Sequence, residues 1–269
     1  MDIGSVIKQE KEIIIYGMGY IAQRFYRILD KKNMGSRIAC FAVTDPSGQP
    51  TEWQGIPVKS VFEIDRLHDL LVCIAVHEVI RNEIVEILVK LGCESYVWIT
   101  PHLIPFAFGA PIESGKEIAT DELVRCQGEY SYWFAARYMA IEQYLGKNDC
   151  GYTIYEKFQA VHCGLNTARK RLLQFQGLIE VYLSKRYQAS SAIAIDSDGR
   201  IIDGIHRTAI YSYWNERTIV ADIYAASEDF YEIMGAVYPD DRVLNEHGLT
   251  EKEMDALENM RRKIWRKVT

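Results

Sequence analysis

Hydrophobic positions in the first hundred residues come in short unbroken runs separated by amphipathic stretches. Glu12-Ile-Ile-Ile-Tyr16, Ile38 to Thr44, Leu70 to Val76 and Ser95 to Ile99 have the length and continuity of strands buried on both faces. Gln23 to Asp30 and Val79 to Leu91 repeat their apolar residues at helical spacing, and Gly55-Ile-Pro-Val58 precedes a further short helix. Strand and helix alternate throughout, which predicts a parallel sheet with helices on its faces. The segment from Pro101 to Pro111 then has the proline and glycine content of a connection between domains.

Beyond it the period changes. Thr120-Asp-Glu opens a long helical pattern in which Leu123, Tyr130, Trp133, Phe134, Tyr138, Ile141 and Leu145 share a face, closed by the turn formers Gly146 to Gly151. Such an aromatic stripe serves packing rather than ligand binding; over 120–146 it would seat two domains on each other or form a homodimer seam. Tyr152 to Val161 is ambiguous. His162 to Thr167 reads as a loop, with Asn166 or Thr167 capping a helix from Ala168 towards Leu183. Arg169, Lys170 and Arg171 in its first turn would oppose the helix dipole, an arrangement that a bound anion offsets and that a solvated basic face explains equally well. Ala192 to Ile195 and Arg200 to Ile202 form a hairpin around a Ser-Asp-Gly turn in which Gly199 tolerates positive φ.

Past Gly204 the spacing becomes helical again through Ala209, Ile210, Tyr213 and Trp214, so a helix begins at about Ile205. Its unpaired N–H groups and positive dipole end suit a phosphate, Arg207 adds a bidentate donor, and Gly204 allows close approach to the backbone. Asp196 and Asp198 stand near the rim, where turn chemistry accounts for them.

Composition narrows the classes. The chain has 269 residues, 48% hydrophobic and 25% charged, enough for two domains with real cores. A net charge of −6 argues against nucleic acid as a partner. The first residues lack the apolar core of a signal peptide and no run reaches a membrane span, so a cytoplasmic protein acting on a small molecule is expected. Six scattered cysteines, without a C-x-x-C pair, read as small buried hydrophobes rather than a zinc site.

The first strand runs into Gly17-Met-Gly19-Tyr-Ile-Ala22, the G-x-G-x-x-G/A fingerprint in a strand–turn–helix setting, and Asp45 ends the second strand where a ribose-binding carboxylate would stand. The alternatives are a tight turn with close helix–sheet packing for Gly17 and Gly19, and a solvated turn for Asp45. His77 and Glu78 follow the strand at Leu70 to Val76, with Glu78 expected to cap the next helix. From Glu12 to Pro101 the chain resembles the Rossmann-like domains attached to sugar-modifying and glycan-assembly enzymes, some of which bind NAD and others a nucleotide-sugar.

Asp203-Gly204-Ile205-His206-Arg207 resembles the nucleotide-binding motif of the ParB/sulfiredoxin superfamily, closest to the Asp-Gly-His-His-Arg form of ParB-like domains and free serine kinases; the likeness spans Tyr155 to Tyr224. It implies phosphate contacts from Gly204, Ile205, His206, Arg207 and Thr208. Asp203 would take a catalytic or Mg²⁺-binding role, His206 would donate to a phosphate oxygen, and Glu180 would be the second catalytic carboxylate, on an element before the motif. Ile205 departs from the pattern: it replaces the first histidine of the kinases and the cysteine that sulfiredoxin chemistry requires. The expected architecture is α/β: a Rossmann-like parallel-sheet domain (1–105), a helical linker (106–150), a ParB/sulfiredoxin-like α+β domain (151–240) and a C-terminal helix (241–269). The expected function is phosphoryl transfer from ATP, with Mg²⁺, to a small hydroxylated metabolite in glycan or cell-surface polymer biosynthesis. The alternatives are NAD- or nucleotide-sugar-dependent chemistry in the first domain and a non-catalytic nucleotide sensor.

Overall fold

The computed structural model describes residues 3–10, 12–128, 131–184, 192–234 and 248–269, apart from the side chains of Val79, His162 and Cys163. The chain is mixed α/β and divides into two compact units, one comprising Met1–Gly109 with a short later piece beginning at Glu232, the other Ala110–Tyr231 with the C-terminal stretch to Thr269. Among the described residues no helix is long and apolar enough to cross a membrane.

The first unit is built on a six-stranded sheet of order β3-β4-β2-β1-β5-β6, with β1 Ile13–Tyr16, β2 Ile38–Val43, β3 Glu52–Trp53, β4 Ile56–Ser60, β5 Leu71–Ile74 and β6 Tyr96–Trp98. Parallel pairing holds except at the edge, where β3 runs antiparallel to β4. The sheet is therefore mixed, through a hairpin that the expectation of a parallel sheet did not include. Helices α1 (Ile3–Gln9), α2 (Tyr20–Lys31), α3 (Glu78–Lys90) and α4 (Leu103–Phe108) belong to the same unit. Ile13 and Ile15 join Phe25, Leu29 and Phe41 in one core cluster, while Ile14 and Tyr16 join Val72, Ile84 and Leu88 in another. Successive strand residues thus enter opposite cores, which explains the unbroken hydrophobic runs; each fully buried aliphatic side chain contributes about 1.5–3 kcal/mol.

The second unit has a four-stranded sheet of order β7-β10-β8-β9, with β7 Glu113–Ala119, β8 Ile193–Asp196, β9 Ile201–Asp203 and β10 Thr218–Tyr224. β10 pairs antiparallel with β7 and parallel with β8, and β8 pairs antiparallel with β9. Its helices are α5 (Thr120–Cys126), α6 (Tyr132–Tyr144), α7 (Gly151–Cys163), α8 (Leu165–Leu183), α9 (Ile205–Tyr213) and α11 (Glu251–Val268); α10 (Phe230–Met234) lies between the last strand and α11 in sequence.

Several elements depart from the sequence reading. Residues 106–150, expected as a helical linker, are shared out: Phe106 and Phe108 pack on the first core, whereas β7, α5 and α6 are parts of the second unit. The single helix expected over 120–146 is two, α5 and α6; Tyr130 lies outside the described residues. Phe134, Tyr138 and Ile141 are buried inside the second unit, so they are core rather than an exposed dimer seam. Tyr152 to Val161 is helical, and α8 begins at Leu165 behind Gly164, which replaces Asn166 or Thr167 as its N-cap. That shift moves Arg169, Lys170 and Arg171 into the second turn, where the helix dipole acts more weakly on them.

The start of α7 is fixed by polar side chains. Asn148 Oδ1 accepts from the Gly151 N–H at 2.9 Å, Gln143 Oε1 accepts from Tyr152 N–H at 2.6 Å, and Asn148 Nδ2 donates to the Met139 carbonyl at 2.9 Å. A Cβ on Gly151 would stand 2.0 Å from that Met139 carbonyl oxygen, so only glycine lets α7 begin this close to α6. At the C-terminus Thr250 and Glu253 form a capping box, and α11 buries Leu257, Met260, Ile264 and Val268.

Candidate functional site

The strand-to-helix junction at Asp203 is set by its neighbours on both sides. The hairpin closes on Asp196, whose Oδ1 accepts from the Arg200 N–H at 2.8 Å and the Asp198 N–H at 3.1 Å, and whose Oδ2 pairs with Arg200 Nε at 2.5 Å. Asp196 is wholly buried and Gly199 has φ +79°, so both acids of the turn serve its geometry. β9 delivers Asp203, and Gly204 turns the chain in the left-handed region at φ +99° before α9 starts at Ile205. A Cβ there would meet Ile193 Cγ2 at 2.4 Å, so the turn demands glycine twice, for its dihedral and for its fit against β8.

Gly204 supplies no side-chain cap to the first N–H groups of α9, an arrangement that suits an anion. Asp203 is exposed, and its Oδ2 lies 3.4 Å from Arg207 Nη2, while Arg207 Nη1 donates to the Ala192 carbonyl at 3.2 Å. The other motif side chains point elsewhere. Thr208 is buried and donates to the Gly204 carbonyl at 3.1 Å, and Ile205 packs against the core of α6 and α11. Ile205, His206 and Thr208 therefore present only backbone to a ligand over the helix start. Glu180, near the end of α8, is exposed, and among the described residues no hydrogen bond or ion pair joins its carboxylate to the junction.

His206 turns inward. Its Nε2 and the Tyr155 hydroxyl are 2.7 Å apart, and its ring lies 4.8 Å from that of Phe175. Burial, with Arg137 and Arg171 nearby, holds its pKa well below the ordinary histidine value, so the imidazole is neutral. Arg137, on α6, is only 4% exposed; it donates to the Trp133 carbonyl at 2.9 Å, and its guanidinium lies over the rings of Trp133 and Tyr155 at 5.7 and 5.9 Å. Among the described residues its Nε has no hydrogen-bond partner, and burial pushes its pKa down to about 10. Of the three basic residues of α8, Arg169 pairs with Glu156 at 3.7 Å and Lys170 is exposed, while half-buried Arg171 donates to Gln159 Oε1 at 2.8 Å. Sequence reasoning missed Arg137 and Tyr155 because each sits in a helical pattern that is otherwise core.

In the first unit the fingerprint divides by role. Gly17 has φ +121°, and a Cβ on it would stand 2.9 Å from the Ala75 carbonyl oxygen, so it is needed for the close passage of the chain beside β5. Gly19 is the N-cap of α2 at ordinary φ −76° with open space around it and no side-chain cap, and Ala22 is buried. This turn lies at the carboxyl end of β1, between β2 and β5, where sheets of this kind take ligands. Asp45 is exposed and accepts from the Ser47 N–H at 2.8 Å, a turn bond that lowers its pKa. Glu78 does not cap α3: His77 is the N-cap position, and Glu78 is the first helical residue. Cys40, Cys73 and Cys93 are buried free thiols, as expected, whereas Cys126 is exposed. Among the described residues no group of three His, Cys, Asp or Glu is placed to hold a metal on its own. No family model, curated protein or solved structure matches this chain.

Proposed function

We propose that the start of α9 is the phosphate end of a nucleotide site, and that the protein is an enzyme transferring a phosphoryl group from ATP to a small hydroxylated metabolite, within glycan or cell-surface polymer biosynthesis. The observation that carries this reading is the left-handed Gly204 leading into a helix whose N-cap supplies no side chain, with exposed Asp203 ion-paired to the largely buried Arg207 of its first turn. Phosphoryl transfer asks little covalent work of a protein: the phosphates must be held, their charge neutralised and the acceptor hydroxyl oriented. The N–H groups of Ile205 and His206 and the guanidinium of Arg207 are suited to the first task. Asp203 would hold Mg²⁺ together with the nucleotide's own oxygens, the usual way a single carboxylate binds this ion, or orient the acceptor hydroxyl. Bound ATP with Mg²⁺ supplies the group that is transferred.

The second reading places NAD or a nucleotide-sugar at the β1–α2 turn, favoured by open space at Gly19 and the uncapped α2. Thermal-shift titrations with ATP, NAD and UDP-sugars, with and without Mg²⁺, separate the two. A Mg²⁺-dependent ATP response weakened about tenfold or more in Arg207→Ala, and kept in Gly19→Asp, is the expected result. Unchanged ATP affinity in Arg207→Ala would remove the first reading; an NAD or nucleotide-sugar response lost in Gly19→Asp, with none to ATP, would establish the second.

A further inference from the structure

Four helices gather two arginines and a histidine around Tyr155 and Gln159 of α7. Arg137 comes from α6, Tyr155 and Gln159 from α7, Arg171 from α8 and His206 from α9. Arg137 and Gln159 are buried, whereas Arg171 and His206 are half-buried at the boundary with solvent. Among the described residues no carboxylate lies within ion-pair distance of either arginine, and none accepts from Arg137 Nε–H. Buried charges are ordinarily paired and buried donors ordinarily satisfied. The Arg137 guanidinium lies over the Tyr155 ring at 5.9 Å, the Tyr155 hydroxyl meets His206 Nε2 at 2.7 Å, and the charge of Arg171 helps push both Arg137 and His206 down, an arrangement that is unfavourable unless something negative joins it.

We propose that Arg137, Arg171 and His206 form a second anion subsite, separate from the helix start, that takes the phosphoryl group of a small phosphorylated metabolite. The charge selects the class. Two guanidiniums beside a neutral imidazole present +2, which a phosphate monoester near −2 balances and a single carboxylate does not. Arg137 Nε–H and the Arg171 fork are the donors, in the geometry that guanidinium offers to phosphate oxygens. The subsite stands whether or not the start of α9 holds a nucleotide, because Arg207 and Asp203 take no part in it.

The test uses inorganic phosphate as the probe, titrated at constant ionic strength against chloride and acetate, on the full chain carrying Arg207→Ala so that the helix start is disabled. Phosphate should stabilise this protein and shift the His206 ring resonances, and adding Arg171→Gln should weaken that response about tenfold or more. Arg137→Lys, which keeps the charge and loses the fork, should weaken it as well; should that buried variant not fold, Arg171→Gln still decides. A phosphate response no larger than that of chloride, a response to acetate alone, or one unaffected by Arg171→Gln would each overturn the proposal. ATP affinity unchanged by Arg207→Ala would count against the nucleotide site only.

Discussion

Replacing Gly204 by alanine tests the junction at the heart of the candidate site. The residue holds φ +99°, a conformation costing an L-residue about 1–2 kcal/mol. The new methyl would stand 2.4 Å from Ile193 Cγ2 and 2.7 Å from Ile193 Cβ, and Ile193 is itself buried in β8, so the strand or the helix start must move. Overpacking of this kind costs about 1–3 kcal/mol. The two effects together predict a loss of about 2–5 kcal/mol. Gly19→Ala is the control: its φ is −76° and nothing lies within 4 Å of the added carbon, so it should lose about 1 kcal/mol or less, the value of a weaker N-cap. Urea unfolding should give a lower midpoint for Gly204→Ala at unchanged slope. Because the two units need not unfold together, hydrogen exchange in β8 and α9 assigns the loss to the second unit. A loss under about 1 kcal/mol, no greater than in Gly19→Ala, would refute the argument that this turn requires glycine.

His206 and Asp196 carry the other predictions. Because the His206 pKa is held below its unfolded value of about 6.5, the unfolded chain binds the extra proton first; stability is full above that pH and falls on acidification towards the folded value, by up to about 1.4 kcal/mol per pH unit. Urea midpoints measured between about pH 5 and 7 should show this slope, and His206→Gln should flatten it; an unchanged slope would show that the imidazole is not the group responsible. Asp196→Ala leaves Arg200 with Asp198, the Ser227 carbonyl and the rings of Phe230 and Tyr231, and should destabilise the hairpin by about 3 kcal/mol, the low end for breaking a buried pair. A loss below about 1 kcal/mol in calorimetry would mean that Asp198 replaces it.

What the sequence determined by itself was everything written in adjacent residues. The unbroken runs at Ile13–Tyr16, Ile38–Val43 and Leu71–Ile74 announced strands buried on both faces, and Asp196 to Gly204 announced a tight hairpin leading into a helix at Ile205; spacing and turn chemistry are local properties that survive without a fold. β7 was silent because it is an exposed, charged edge strand held mainly by its pairing with β10 about a hundred residues later. The start of α7 was silent because glycine, usually a helix breaker, is required there by the Met139 carbonyl of another helix. The meeting of Arg137, Arg171 and His206 was equally hidden. Arg137 looked like one residue in a helical pattern, Arg171 and His206 were read as belonging to separate helix starts, and only the packing of α6, α7, α8 and α9 turned those faces towards one another. Local periodicity says which face of a helix is buried, but which charges share that interior is decided by contacts far apart in sequence.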